Sequence, residues 1–293
     1  MKKAIAVIGP VNIFLLIGYL ILWGIVLFGH GLISVAIWAA LKLVLPVFGA
    51  ALFIVGLAVC IVKRKRPSIK PFISIFASLL FLFPFLLTAN VITMAYPANI
   101  NKVNPSVTVS WPLAEETFVA WGGDRIESNL PHAAWGSERW AYDLVMEPYN
   151  TGDSKLQSYG IWDKELLSPV AGTVIAVKDQ EEDIPPNTED FKSLEGNYVY
   201  IEIEKTGTYL LMNHLKQGSV AVSVGDRVQP GDLLGRIGNS GATSEPHLHI
   251  HHQRQNPTKV WHPLLAEGLP LYFDTVEGTP MPVSGMRVDP KRH

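Results

Sequence analysis

No aspartate or glutamate occurs in residues 1–95 of this 293-residue chain, and no other sequence feature constrains the fold as strongly. Within that span lie three apolar stretches, at about residues 6–28, 43–62 and 72–96, none with a basic residue in its interior. The hydrocarbon core of a bilayer takes about 20 residues of helix, so each stretch is long enough to cross it. The apolar segment 32–41 extends the second span, lies in the interface or re-enters; Lys42 argues against one uninterrupted helix, and a fourth crossing is the less economical reading. The first stretch is longer than the apolar region of a cleaved signal peptide and is followed by further spans, so it reads as an anchor.

The basic residues orient these spans. Lys2 and Lys3 precede the first, and Lys63, Arg64, Lys65, Arg66 and Lys70 separate the second from the third. Positively charged loops stay in the cytoplasm. The amino terminus and the 63–70 loop are therefore expected inside, and everything after the third span outside. His30, between Gly29 and Gly31, reads as an interfacial turn residue. No chain of ionisable groups crosses the spans, which gives a transporter no support.

Eight of the 24 lysines and arginines belong to this first part, which leaves 16 against 26 acidic residues and a net charge of −10 for the remainder. A domain of that balance is not expected to bind nucleic acid, which takes clustered Lys and Arg. The single cysteine, Cys60, excludes a disulfide framework and a cysteine-based zinc site.

From about residue 97 the chain turns polar and rich in Gly, Pro, Asn and Asp. Short β-branched and aromatic runs recur at 106–110, 117–121, 172–178, 198–204, 208–213, 233–237 and 247–251. That pattern predicts a mainly-β domain, a sandwich or barrel. Residues 180–195, acidic and with two prolines, read as an exposed loop between strands. Residues 168–178 and 222–238 each combine a β-run with a glycine-centred turn, as in the two halves of a lipoyl/biotinyl barrel-sandwich. A carrier of that kind needs a lysine at a hairpin tip, and neither turn has one. An adaptor module of that fold remains an alternative.

Four of the nine histidines fall in the run Pro246-His247-Leu248-His249-Ile250-His251-His252. On a strand, side chains alternate in direction. His247, His249 and His251 then share one face, and Leu248, Ile250 and His252 the other. Imidazole is the commonest metal ligand at neutral pH. The plainer reading is a surface strand with merely polar histidines. A catalytic zinc takes three protein ligands and keeps one position open, and one strand cannot supply all three. The donors elsewhere are His132, His214, His262 and acidic groups such as Asp143, which sits in the strand-like run 139–145.

Residues 196–251 resemble the core of the lysostaphin/LytM-type metallopeptidases. The elements that carry the resemblance are Gly196-Asn197-Tyr198-Val199-Tyr200-Ile201, then His214-Leu215, then Val224-Gly225-Asp226-Arg227-Val228-Gln229-Pro230-Gly231, then Ile237-Gly238-Asn239-Ser240-Gly241, and finally Pro246-His247-Leu248-His249. Their order and spacing match that family, and the likeness extends over roughly residues 130–255. It implies a mainly-β LytM-like barrel-sandwich hybrid and says nothing of the part before it, where the apolar stretches predict about three transmembrane helices. Together, hydropathy and resemblance give an anchor at 1–96, a linker and first strands at 97–130, the metallopeptidase domain at 131–265 and a C-terminal extension at 266–293.

The resemblance also implies one Zn2+ per chain held by His132, Asp143 and His249, with His214 and His247 as catalytic histidines. His132 enters this set by a departure from the family pattern. The usual first motif is H-x-x-x-D, but Arg139 stands four residues before Asp143, and the nearest upstream histidine is His132, on the longer loop 130–138. His251 is the next candidate for that place. Glu245 stands where a glycine usually precedes the proline, and Met212 where an aromatic usually precedes the His-Leu pair.

The implied activity is a zinc metalloendopeptidase acting on peptidoglycan peptides, and the apolar spans with their basic flanks add the expectation of a multi-pass protein of the cell membrane with the catalytic domain outside. A degenerate LytM domain that binds wall or regulates another hydrolase is the alternative that Arg139 favours. A serine hydrolase is a weaker competitor, because Ala242 breaks the G-x-S-x-G pattern around Ser240.

Overall fold

The computed structural model describes residues 2–62, 69–89, 91–274 and 280–290, with side chains from residue 13 in the first helix and from residue 75 in the fourth. The chain divides into two compact units, Met1–Ala98 and Asn99–His293.

The first unit is helical: α1 (Lys2–Phe28), α2 (Leu32–Leu43), α3 (Leu45–Val62), α4 (Ile69–Leu82) and α5 (Phe85–Thr88). Among the described residues only α3, with mean hydropathy 2.7, is long and apolar enough to cross a bilayer. Val47, Ile54, Val55 and Ile61 on it are exposed. The segments Ile13–Phe28, Leu32–Leu43 and Ile75–Thr88 are apolar but shorter. Two prolines explain two of the divisions. Pro46 has no N–H to give the carbonyl four residues back, and that carbonyl, of Lys42, accepts the Thr88 hydroxyl at 2.7 Å instead. The break between α2 and α3 follows, with the Lys42 ammonium 5.7 Å from the Trp38 ring centre. Pro84 has the same effect on the expected third span. Its helix stops at Leu82, resumes for one turn as α5, and gives way to irregular chain, so it does not run on to Tyr96. Glycine lets α3 and α4 approach closely: a Cβ on Gly49 would lie 2.9 Å from the Phe81 and Leu82 backbone. Lys63, Arg64, Lys65 and Arg66 lie outside the described residues, and the side chains of Lys2, Lys3 and Lys70 lie outside the described side chains.

The second unit is mainly β, as the sequence predicts. Its elements are β1 (Val107–Val109), β2 (Thr117–Trp121), the one-turn α6 (Leu130–Ala133), β3 (Tyr142–Val145), β4 (Glu165–Leu167), β5 (Gly172–Lys178), β6 (Asn197–Ile203), β7 (Tyr209–Leu215), β8 (Arg227–Val228), β9 (Leu233–Arg236), β10 (Leu248–Gln253), β11 (Gly268–Leu269), β12 (Leu271–Phe273) and β13 (Arg287–Val288). The main sheet runs β13-β2-β3-β10-β7-β6-β5-β8, with β11 also paired to β10; β1 pairs with β12 and β4 with β9 in two small sheets. Strands from 107–121 and 268–288 are thus hydrogen-bonded into these sheets.

The period of two sorts the sheet into a core face and a site face. Val199, Ile201 and Ile203 of β6, Leu210 and Met212 of β7, and Leu248 and Ile250 of β10 fill one hydrophobic core with Leu144 and Phe273. His252 points the same way and is satisfied there: its Nδ1 lies 3.1 Å from the Pro270 carbonyl and its Nε2 2.6 Å from the Thr208 hydroxyl. Burial holds its pKa down to about 4.

The 180–195 loop is more anchored than its composition suggests. Glu181 is buried; its carboxylate accepts from Lys178 Nζ, the Ser193 hydroxyl and the amides of Lys192 and Ser193. Asn197 ties this loop to the strands by donating to the Glu181 and Leu215 carbonyls. Beside it, Gly196 has φ 64°, and a Cβ there would sit 2.2 Å from the Ser240 carbonyl oxygen. Both conformation and space demand glycine. Gly196→Ala should lower the unfolding free energy of the chain by more than about 1 kcal/mol, read from urea denaturation followed by tryptophan fluorescence.

Candidate metal centre

Strand register builds the site. In the β3–β10 pair Asp143 stands directly opposite His249, and in the β7–β10 pair His249 stands opposite Asn213. Directly opposed residues share a face, so the carboxylate and the imidazole meet: His249 Nδ1 is 2.9 Å from Asp143 Oδ1. Helix α6 delivers His132 to the same carboxylate, with Nε2 3.4 Å from Oδ2. The donor atoms of His132, Asp143 and His249 all lie within 4.8 Å of one another. His247 is adjacent, Nε2 3.6 Å from Asp143 Oδ1. His214 completes the surround, its ring centre 4.8 Å from that of His247 and 6.0 Å from that of His249.

Arg139, which occupies the usual ligand position, points away. It is buried, and its guanidinium donates to the Asp124 carboxylate at 2.8 Å and to the Asp124 carbonyl at 2.6 Å. Ser240 is not a nucleophile: fully buried, its hydroxyl donates to the Leu215 carbonyl and accepts from the Asn197 amide. His262 lies apart, its Nδ1 accepting the Leu264 amide.

Hydrogen bonds fix which nitrogen each imidazole offers. The Asn129 amide donates to the Gly123 and Ala141 carbonyls, so its oxygen is the acceptor for His132 Nδ1–H at 2.8 Å. His132 Nε2 is thereby left with a lone pair toward Asp143. His214 Nδ1–H donates to the Ser240 carbonyl and His247 Nδ1–H to the Glu245 carbonyl, each at 2.8 Å. For His249 the order is set from further off. Gln253 Nε2 donates to the Gln255 carbonyl, Gln253 Oε1 accepts His251 Nε2–H, and His251 Nδ1 accepts His249 Nε2–H at 3.0 Å. That chain leaves Nδ1 of His249 to face the carboxylate.

The charge state agrees with the geometry. Burial alone would push the Asp143 carboxyl up, but His132, His247 and His249 beside it hold it well below the usual carboxylate range. Burial lowers His132, and lowers His214 and His251 more strongly. Burial opposes protonation of His249 too, but its bond to Asp143 raises it overall. The group at neutral pH is thus a carboxylate among mostly neutral imidazoles, a donor set suited to a dication.

A tetrahedral zinc with bonds of about 2.0–2.1 Å spaces its donors roughly 3.3 Å apart. His249 Nδ1 lies 2.9 Å from one Asp143 oxygen and His132 Nε2 3.4 Å from the other, near that value, and with all three donors within 4.8 Å the donor set suits the ion. Sequence reasoning missed the orienting residues. Alternation could have found Gln253, two positions past His251 on the same face; nothing in the sequence marks Asn129 or the Ser240 carbonyl.

His214 has φ 63°, a left-handed conformation unusual for a non-glycine residue. Strain of this kind is found at functional sites held by their surroundings.

Residues 162–260 match the model of peptidase family M23. That stretch contains His214, His247 and His249; His132 and Asp143 precede it. No curated protein matches the chain. Among solved structures, a putative M23 peptidase from Pseudomonas aeruginosa is 19% identical over 50% of this chain and 48% of its own, with TM-score 0.28. The catalytic domain of lysostaphin from Staphylococcus simulans is 15% identical over 53% and 88%, with TM-score 0.30. A complex of SpoIIIAH and SpoIIQ gives 18% identity over 52% and 98%, with TM-score 0.35. The chain spans about half the length of the P. aeruginosa protein.

Purified without chelator, the full chain should hold one zinc, and His132→Ala, Asp143→Ala and His249→Ala should each lose it. Gln253→Leu should keep the stoichiometry but bind zinc about 10–100-fold more weakly, measured by competition with a chromophoric chelator.

Proposed function

We propose, from the match of residues 162–260 to the model of peptidase family M23, that the chain is a zinc-dependent endopeptidase that cleaves the peptide stems or cross-bridges of bacterial peptidoglycan. The observation that carries this reading is the His132–Asp143–His249 donor group with two further imidazoles beside it. The domain in this reading is a LytM-like barrel-sandwich hybrid. Zinc, when bound, supplies Lewis acidity toward a peptide carbonyl and brings the pKa of a water to about 7.

The chain's own groups do the rest. His214 and His247 each spend Nδ1–H on a backbone carbonyl and keep Nε2 for the reaction. One accepts the proton of the attacking water, and the other donates to the oxyanion or the leaving amine. Burial keeps His214 neutral. Asp143 and the Asn129 and His251–Gln253 bonds hold the ligand imidazoles in register.

The anchor reading belongs to the same proposal. In this reading the three apolar stretches and the basic residues at 2–3 and 63–70 argue for a multi-pass protein of the cell membrane, amino terminus inside and catalytic domain outside. The apolar helix α3 supports an anchor. In spheroplasts, a membrane-impermeant thiol reagent should label a cysteine placed at Thr151 and leave one placed at Ser68 unlabelled.

Zinc content and release of peptide fragments from purified peptidoglycan, measured on the same full-chain samples, test the reading. His249→Ala should lose both zinc and turnover. His247→Ala should keep zinc and lose turnover by about 10²–10⁴-fold. His214→Asn, compatible with the left-handed backbone, should lose turnover by a similar factor and change stability by less than about 1 kcal/mol. Zinc loss in His247→Ala overturns the assignment of roles. A wild-type chain that takes up no zinc from excess metal is instead a non-catalytic wall-binding or regulatory domain.

A further inference from the structure

On the site face, beside the metal centre and reaching along β7 and β10 to Leu211 and His251, a cavity of about 210 Å³ opens. Its polar lining is rich in hydrogen-bond acceptors and includes Ser137, Glu138, Glu195 and Asn213, with no lysine or arginine. Asn213, opposite His249, is 5% exposed, and its side-chain oxygen is buried without a hydrogen-bond partner. The Ser137 hydroxyl, 2% exposed, is likewise unpartnered. Buried polar atoms are nearly always paired, and the exceptions call for an explanation. Glu138 and Glu195 lie at the same cavity, and among the described residues neither has a basic partner. Tyr198 and Tyr200 form one wall, their rings stacked at 4.0 Å and 9°.

Two orphan polar atoms, two unpaired carboxylates and an aromatic wall make a place for a cation that carries several N–H donors on an apolar stem. A primary ammonium has three donors and no acceptor, and packs against tyrosine faces. We propose that this cavity is a specificity subsite that takes a free primary amino group of the substrate peptide, next to the bond that is cut. Glu138 and Glu195 supply the charge complement, and Asn213 and Ser137 the directed acceptors. The inference rests on the endopeptidase reading for its substrate, but it is a statement about binding and is tested without turnover. The amine has two sources in a wall peptide, a diamino-acid side chain and a free amino terminus.

The experiment measures binding of a lysine-containing stem tetrapeptide to the full, zinc-loaded chain with His247→Ala, by calorimetry. The peptide is used in three forms: free, acetylated on the side-chain amine, and acetylated on the terminal amine. One acetylated form should bind at least about tenfold more weakly than the free peptide, and which one identifies the source. In the E138Q/E195Q double variant the free peptide should weaken by about tenfold and that discrimination should vanish, with zinc content unchanged. Asn213→Leu should raise thermal stability, since the orphan oxygen is gone, while it weakens binding of the free peptide. Equal binding of all three forms overturns the proposal, as does discrimination that survives in the double variant. Amine discrimination in a chain whose wild type hydrolyses nothing leaves the subsite standing and removes the endopeptidase. Hydrolysis by wild type without amine discrimination does the reverse.

Discussion

The pairing of β3 with β10 places Asp143 against His249, and everything else at the site is arranged around that contact. A shift of one residue in this register would turn Asp143 toward Tyr142's side of the sheet and set a carboxylate in the core. The core prevents it, because Leu144, Leu248 and Ile250 are fully buried on the opposite face and must stay there. Hydrophobic burial thus specifies where a charged group and an imidazole meet. His132 adds to this pair from outside the sheet, through a one-turn helix whose position depends on Asn129.

The orienting bonds have a common logic. Each imidazole spends one nitrogen on a fixed acceptor and leaves the other for the centre. Backbone carbonyls serve His214 and His247, and an amide oxygen serves His132. His249 is the exception, since its outer nitrogen is fixed by a second histidine and then a glutamine along the same strand face. The strand's own alternation therefore supplies both a donor to the centre and the residues that hold it. His214 is held in a left-handed conformation where its backbone meets Glu195 and Gly238, so loops rather than the sheet ladder set its direction.

The helical unit follows different rules. Its apolar side chains face outward as well as inward, and prolines divide α2 from α3 and α4 from α5. Pro46 and Pro84 each remove a backbone donor, and in the first case the Thr88 hydroxyl, 46 residues along from the Lys42 acceptor, replaces it. Hydropathy finds such segments but does not say where a proline ends them, which is why the expected span to Tyr96 stops at Leu82 and a single turn beyond.

Local pattern alone marked the stretches that become β1, β2, β5, β6, β7, β9 and β10, and alternation along 247–252 sorted the imidazoles into a site face and a core face, because strand period is a property of the backbone. The acid-free first third likewise marked an apolar helical unit without reference to any fold. Tertiary structure alone decided the rest. His132 lies eleven positions before Asp143 with no periodic relation to it, and Arg139, nearer in sequence, is drawn off by Asp124. The burial of Glu181 in an acidic loop, the shared face of Asn213 and His249, and the cavity beside them arise from contacts between segments distant in the chain. Spacing along a sequence encodes faces of a single element; only packing decides which faces of different elements come to lie against one another.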